Sequence, residues 1–297
     1  MVNLPAQIAA LYPFEPRTLD LDGIAYRYVD EGNGEPLLMV HGNPTWSFYY
    51  RDLIKAFRGS HRVVAPDHVG CGLSDKPQVY PYTLAQHISN LERLVLSLDL
   101  KDITLVVHDW GGAIGFGMAV RHPERIKRVV IFNTAAFHVD VMPVLLRVAR
   151  LPVIGDVLIR GLNAFAGLAT RLAMGHHERM TPAVKAGYLF PYDSWANRIA
   201  TLRFVQDIPH GPSHPTWSTL AEVESGLARL ADRPALIVWG MRDWVFSPRF
   251  LRRWLQRYPS AEAHRLHDAS HYVVEDATER IVDWMQTFLA QGSVLHR

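Results

Sequence analysis

The sequence predicts an α/β fold in which a mostly parallel sheet carries helices on both faces. Continuous apolar runs of this length are typical of strands buried on both faces, as in parallel sheets. Helical patterns separate most of the runs, and alternating strands and helices indicate the α/β class. The chain has 297 residues and a net charge of +2, an ordinary globular balance. The five runs, each rich in β-branched residues, are 36–40, 62–65, 103–107, 129–132 and 235–239.

The predicted hairpin and helices fit a single sheet built from these strands. Residues 17–21 and 24–29 alternate in polarity and are joined by Asp22-Gly23, which predicts an antiparallel hairpin at the sheet edge. Helical periodicity predicts helices over 82–98, 111–121 and 281–289.

Residues 138–215 depart from this alternation of strands and helices. They contain no clear buried strand, and seven prolines punctuate short helical segments. Because a structureless loop of this length is improbable in a compact domain, we expect a helical cap inserted into the sheet. The predicted organisation is a core of residues 1–137 and 216–297 with a cap over 138–215.

Composition excludes several classes of function. No Lys/Arg-rich run is present, so nucleic acid is not an expected partner. The lone Cys71 excludes an internal disulfide framework and a cysteine-based metal site. His176-His177 and the pair His210 and His214 lack a carboxylate or cysteine to complete a ligand set, so no metal is expected. The start lacks a signal-peptide pattern and no apolar stretch is long enough to cross a bilayer, which predicts a bacterial cytoplasmic protein with no membrane partner.

The segment 106–112, VVHDWGG, carries the first chemical signal. It follows a predicted strand and opens a predicted helix, the outline of a nucleophile elbow with Asp109 at its apex. A carboxylate there is stabilised by the helix dipole and can attack saturated carbon to form an ester. The alternative for Asp109 alone is a simple helix N-cap.

Two later residues complete a candidate catalytic triad. Asp243 follows a predicted strand, and His271 lies between another strand and the last helix. The order nucleophile, acid, histidine is the one expected for a triad on such a fold. All three fall at the carboxyl ends of strands, where α/β sheets place their sites. A buried structural imidazole and a turn residue are the alternatives for His271 and Asp243.

Three motifs give the chain a specific resemblance. HGNPTWS at 41–47, DHVGCGLSDKP at 67–77 and HDWGG at 108–112 resemble haloalkane dehalogenases of the α/β-hydrolase superfamily. The resemblance covers nearly the whole chain and is weakest in the cap. It implies the α/β-hydrolase fold and cofactor-free conversion of a small haloalkane and water into an alcohol and halide.

The resemblance also implies residue roles. Asp109 takes the place of the nucleophile, and the side chains of Asn43 and Trp110 take the place of the halide donors. One branch of the family carries its acid after the strand that precedes the cap, where this chain has no carboxylate. The chain therefore resembles the branch whose acid stands at Asp243. Phe165 and Pro209 are candidate pocket residues by the same resemblance.

The implied mechanism is chemically sensible. Asp109 displaces halide, and the uncharged N–H groups of Trp110 and Asn43 receive the developing anion. His271, oriented by Asp243, then activates water to hydrolyse the ester. The backbone N–H groups of Asn43 and Trp110 form the oxyanion hole for that second step.

Two alternatives remain open from the sequence. An epoxide hydrolase uses the same Asp nucleophile with two cap tyrosines, for which Tyr188 and Tyr192 are candidates although Pro191 intervenes. That family usually has an aromatic residue where Asn43 stands. A non-catalytic ligand-binding α/β-hydrolase is the alternative from another class, but such proteins often lose triad residues that this chain retains.

Overall fold

The computed structural model describes residues 4–139 and 142–291. Residues 1–3, positions 140 and 141 of the predicted cap and residues 292–297 of the predicted core lie outside the described residues. Within the described residues, eight strands form one sheet in the order β1-β2-β4-β3-β5-β6-β7-β8. The strands are β1 Arg17–Asp20, β2 Ala25–Glu31, β3 Pro36–Val40, β4 Arg62–Pro66, β5 Ile103–Asp109, β6 Ile126–Thr134, β7 Ala235–Gly240 and β8 Glu262–Leu266.

The sheet confirms the predicted fold class. Strands β1 and β2 form an antiparallel hairpin at one edge, and β2 pairs antiparallel with β4. Every other neighbouring pair of strands is parallel. The five predicted apolar runs all lie in strands β3 to β7.

Helices cover both faces of this sheet. They are α1 Ala6–Leu11, α2 Arg51–Phe57, α3 Leu84–Ser97, α4 Trp110–Arg121, α5 Val144–Ala149, α6 Ala164–Leu172, α7 Pro182–Leu189, α8 Ile199–Gln206, α9 Thr216–Gly226, α10 Pro248–Arg257, α11 Val273–Asp276 and α12 Thr278–Gln291. Shorter 3₁₀ turns are Ser47–Tyr50, Pro123–Arg125, His177–Arg179, Phe190–Tyr192, Ala196–Arg198 and Leu227–Leu230, with a π-helical turn at Asp156–Gly161.

Strand β3 shows why the apolar runs are continuous. Leu38 and Val40 pack into the hydrophobic cluster with helices α3 and α4, whereas Leu37 and Met39 pack into the cluster with α2 and α12. Alternate side chains of a strand point to opposite faces, so a sheet covered twice needs apolar residues at every position.

Helices α5 to α8 form an insertion that follows β6, and α9 then packs against α3 and α4 before β7 begins. The described residues of this insertion contain no strand, as the sequence predicts for 138–215. No helix in the described part of the chain is long and apolar enough to cross a membrane. The division into core and cap at residues 138 and 215 stays a prediction.

A hydrogen bond from Tyr188 ties this insertion to a buried ion pair of the core. Arg51 of α2 donates from Nη2 to Glu275 Oε2 at 2.9 Å, and Tyr188 of α7 donates to Glu275 Oε1 at 2.6 Å. Both ion-pair side chains are about 95% inaccessible, at 4% and 5% exposure. Removing one partner of such a pair leaves an uncompensated buried charge.

We predict that Glu275→Ala lowers the free energy of unfolding by about 3–5 kcal/mol. Arg51 then loses its buried counter-charge and keeps its pair with Asp52, at 3.2 Å, whose side chain is 37% exposed. Urea denaturation followed by circular dichroism measures this loss. The matched control is Lys55→Ala in α2, the helix of Arg51, which removes a partly exposed pair with Asp52 at 3.1 Å and should cost less than about 1 kcal/mol. Equal losses of stability in the two variants would contradict the larger contribution expected from the buried pair.

Candidate active site

A sharp turn presents Asp109 between strand β5 and helix α4. Its backbone lies at φ 52° and ψ −129°, a conformation that residues other than glycine rarely adopt. Two glycines allow the close approach around this turn. A Cβ on Gly42 would lie 2.1 Å from Asp109 Oδ1, and one on Gly111 would lie 2.0 Å from the carbonyl oxygen of Val40. Larger side chains at these positions would therefore displace the turn.

The Asp109 carboxylate is buried but well supplied with donors. The backbone N–H of Asn43 donates to Oδ1 at 2.7 Å. Burial raises the pKa of Asp109, while His271 and the backbone N–H groups of Asn43 and Trp110 oppose that rise, and the net pKa lies above the ordinary value. These donors stabilise the charged, nucleophilic form in a site where water has little access.

His271 stands between two carboxylates. Its Nδ1 lies 2.8 Å from Asp243 Oδ2, and its Nε2 lies 3.6 Å from Asp109 Oδ2. Burial lowers the pKa of His271, but the charge and hydrogen bond of Asp243, with a contribution from Asp109, raise it above the ordinary value. The arrangement holds an imidazole with one nitrogen anchored and the other directed at the Asp109 carboxylate.

Asp243 is itself fixed by a complete set of donors. Its Oδ1 accepts from the backbone N–H groups of Val245 and Phe246 at 2.7 and 2.9 Å. Its Oδ2 also accepts from Asn133 Nδ2 at 2.9 Å. Asn133 further bonds both backbone groups of Gly240, at 3.0 and 2.8 Å. Sequence reasoning treated the end of β6 only as a place without a carboxylate and missed this support.

His108 lies beside His271 without carrying a competing charge. Its ring stacks between Tyr49 and His271, with centroids 4.5 Å from each. Burial and the neighbouring His271 hold the pKa of His108 well below its usual range, so it is neutral. Its Nε2–H donates to the carbonyl oxygen of His271 at 2.8 Å. His108 therefore fixes the backbone that carries His271.

The side chains of Asn43 and Trp110 lie at the floor of a cavity beside Asp109. Asn43 Nδ2 donates one hydrogen to the carbonyl oxygen of Thr201 in α8 at 3.1 Å, which leaves its second hydrogen available. The Trp110 ring packs against Phe204 at 5.4 Å. The structure thus brings both candidate anion donors to the same cavity as Asp109.

The cavity measures about 740 Å³ and lies between the sheet and the insertion. Asp109 and His271 line it at the sheet side, and the candidate pocket residues Phe165 and Pro209 line it at the insertion side. Most of the other lining side chains are apolar, among them Leu146, Ile159, Leu168, Val205, Ile208, Leu220, Val245, Phe246 and Phe250. A pocket of this size and character suits a large apolar ligand.

The two tyrosines of the epoxide-hydrolase alternative point elsewhere. Tyr188 donates to Glu275, and Tyr192 donates to the carbonyl oxygen of Thr45 at 3.2 Å. Neither tyrosine is among the side chains that line the cavity. Their hydroxyl groups are thus not placed to protonate a ligand beside Asp109.

The histidine pairs outside the triad form no metal centre in residues 4–139 and 142–291, where no group of three or more suitable side chains could hold an ion. His176 contacts Glu178 and Asp268 near the surface, and His210 packs on His214 with centroids 5.2 Å apart.

Comparison with known proteins places this geometry in a family. A family model described as alpha/beta hydrolase fold matches residues 35–278. A cis-3-alkyl-4-alkyloxetan-2-one decarboxylase of Shewanella oneidensis is 45% identical over 96% of this chain and 91% of its own length. A protein of Mycobacterium tuberculosis named haloalkane dehalogenase 2 is 36% identical over 91% of this chain and 93% of its own length.

Solved structures agree with the fold. The crystal structure of a haloalkane dehalogenase from Agrobacterium tumefaciens C58 superposes with a TM-score of 0.84 at 25% identity, covering 95% of this chain and 99% of the other.

We predict that Asp243→Asn lowers the pKa of His271, because burial then acts without its main opposing charge. NMR titration of the imidazole resonances measures the shift, and its sign means that His271 stays neutral to lower pH. The control, Asp232→Asn, removes the same charge from a side chain that is 75% exposed and should leave the pKa of His271 unchanged. An unaltered pKa in Asp243→Asn would contradict the role given to Asp243.

Proposed function

Since the chain belongs to the alpha/beta hydrolase fold family, we propose that its site displaces an anionic leaving group from saturated carbon. The substrate we propose is a cis-3,4-dialkyl oxetan-2-one, converted to an alkene and CO₂. The observation that carries this choice is the apolar cavity of about 740 Å³ beside Asp109, which offers room for two alkyl chains. The identity of 45% to a protein named as such a decarboxylase, against 36% to a haloalkane dehalogenase, supports it.

The first step is a nucleophilic displacement. One oxygen of the Asp109 carboxylate bonds to ring carbon C4, and the bond between C4 and the ring oxygen breaks. The ring opens to a carboxylate that stays attached through C3. Its charge develops where the Trp110 indole and the free amide hydrogen of Asn43 can donate. The same two donors would receive a halide, so the first step does not distinguish the two substrate classes.

The second step needs no water. The bond between C3 and the new carboxylate breaks, CO₂ departs, and the electron pair forms the C3–C4 double bond. Asp109 leaves C4 as a carboxylate, which restores the enzyme. Inversion at C4 followed by anti departure converts a cis ring to a cis alkene. His271 with its raised pKa lies 3.6 Å from Asp109 and, when protonated, stabilises the departing carboxylate.

The surrounding residues have supporting roles in this proposal. Asp243 favours the charged form of His271 and orients its ring, and Phe165 and Pro209 contact the alkyl chains. The backbone N–H groups of Asn43 and Trp110 hold the Asp109 carboxylate in line for attack. Residues 138–215 act as the cap, which keeps water from the ester because water would give a hydroxy acid instead of an alkene.

Hydrolytic dehalogenation of haloalkanes is the second candidate. It is favoured by the pair of uncharged N–H donors at Asn43 and Trp110, which suit a soft halide ion. The displacement step at Asp109 is common to both reactions. The difference lies afterwards, because His271 must then be neutral and take a proton from the water that attacks the ester. The products are an alcohol and halide.

The test compares products from two substrate panels. We expect cis-3-hexyl-4-heptyl oxetan-2-one to give a cis alkene and CO₂, detected by gas chromatography with mass spectrometry, faster than 1-bromobutane or 1,2-dibromoethane release bromide. Asp109→Asn should lower alkene formation by about 10³-fold or more because the nucleophile is lost. Asp99→Asn, a surface change at a side chain that is 63% exposed, is the matched control and should retain full activity.

Each contrary outcome has a definite meaning. Bromide release without alkene formation would replace the decarboxylation by the second candidate. Turnover of styrene oxide alone would favour the epoxide-hydrolase alternative, and full activity of Asp109→Asn would overturn the displacement mechanism itself.

A further inference from the structure

A set of aliphatic side chains in the insertion faces solvent instead of the core. Ten of the fourteen large apolar side chains that are exposed in the described residues lie between residues 144 and 172. We call this set the aliphatic rim: Val144, Leu145, Val148, Leu151, Val153, Ile154, Val157, Leu162, Leu168 and Leu172. Single exposed apolar residues are normal on a protein surface, but a concentration of them marks a surface that a partner covers.

Part of the rim borders the cavity beside Asp109. Leu145 of α5 and Leu168 and Leu172 of α6 are each 43–49% exposed and also line the cavity. Trp244, which is 41% exposed, lines it from the core side. A molecule that leaves an apolar phase covering the rim would therefore enter the cavity without crossing water.

The charge of the same segment is positive. Residues 144–172 contain four arginines and one acidic residue, although the whole chain carries a net charge of only +2. Arg160 pairs with Asp156 at 3.4 Å. Arg147 and Arg171 are exposed and have no ion pair within the described residues. The covering partner should thus combine an apolar interior with a negative surface.

We propose that the aliphatic rim docks on an anionic phospholipid bilayer and lies in its interface. The choice of partner rests on the proposed function, because a lactone with two alkyl chains dissolves in lipid. An interfacial segment pairs apolar side chains with basic ones, as this segment does. The sequence predicts no membrane partner from the lack of a spanning stretch, which excludes only a segment that crosses the bilayer.

Charge and composition favour lipid over the other occupants. A second copy related by a two-fold axis would bring Arg147 and Arg171 against the same positive segment. Protein interfaces are enriched in aromatic residues and methionine, whereas the rim consists of valine, leucine and isoleucine.

The test is cosedimentation of the full chain with vesicles, in the absence of any substrate. We expect binding to vesicles of equal parts phosphatidylcholine and phosphatidylglycerol, and much weaker binding to phosphatidylcholine alone. The double variant Val144→Glu, Leu162→Glu should weaken binding by about tenfold or more. These side chains are 73% and 68% exposed and do not line the cavity, so thermal unfolding should match the parent chain. Val79→Glu, at a side chain that is 95% exposed outside the insertion, is the matched control and should bind normally.

The proposal is overturned if the chain does not sediment with anionic vesicles, if neutral vesicles bind it equally, or if the double variant sediments like the parent chain. A dimer in size-exclusion chromatography that the double variant abolishes would assign the rim to a second copy instead. Because no lactone or haloalkane is present, failure of vesicle binding leaves the proposed reaction standing, and failure of the reaction leaves the vesicle result standing.

Discussion

The burial of one carboxylate at the end of a central strand is the constraint on which the rest of the site depends. Asp109 occupies a left-handed turn between β5 and α4, and Gly42 and Gly111 leave the space that this turn requires. Without donors, such burial would keep the carboxyl group neutral and unreactive. The N–H of Asn43, the start of α4 and the imidazole of His271 supply the compensation. His271 in turn depends on Asp243, and Asp243 on Asn133, so the support for Asp109 reaches across the ends of four strands, β5 to β8.

The displacement that we propose at saturated carbon would be the same for more than one class of substrate. Asn43 and Trp110 offer two neutral N–H donors to whichever anion departs, halide or carboxylate. What separates the two proposed reactions is the fate of the covalent ester, which depends on water reaching it and on a carboxylate remaining in the substrate. The apolar cavity and its aliphatic rim bear on both points, because they suit a long substrate and a dry site. In the proposed reaction, the insertion therefore selects the substrate class, and the residues at the strand ends carry out the displacement.

The sequence predicted the sheet more completely than the insertion, for a physical reason. Strands β3 and β5 are buried on both faces, so their apolar runs and the turn that follows each are local signals. The position of Asp109 follows from the run of β5, and that of Asp243 from the similar run of β7. His271 follows β8, in which only Leu266 is fully buried, so its place rests on a weaker signal. The contacts of Asn133 and Glu275 were missed because their partners lie far along the chain, and a hydrogen bond to Asp243 leaves no periodic pattern. Tyr188 was considered only as an epoxide-hydrolase tyrosine for the same reason. The exposed apolar face of α5 was missed although its pattern is local, since an apolar helix face does not tell whether protein or solvent covers it.

Water labelled with ¹⁸O tests the central claim, a covalent bond between Asp109 and substrate carbon, most directly. A single turnover is run in labelled water with the dialkyl oxetan-2-one and, separately, with 1-bromobutane, and the peptide that contains Asp109 is analysed by mass spectrometry. We expect label in Asp109 after the bromoalkane, because water attacks the ester carbonyl. We expect no label in Asp109 after the lactone, because the carboxylate leaves intact as the alkene forms. Label in Asp109 after lactone turnover, or label found only in the alcohol product from the bromoalkane, would contradict the claim.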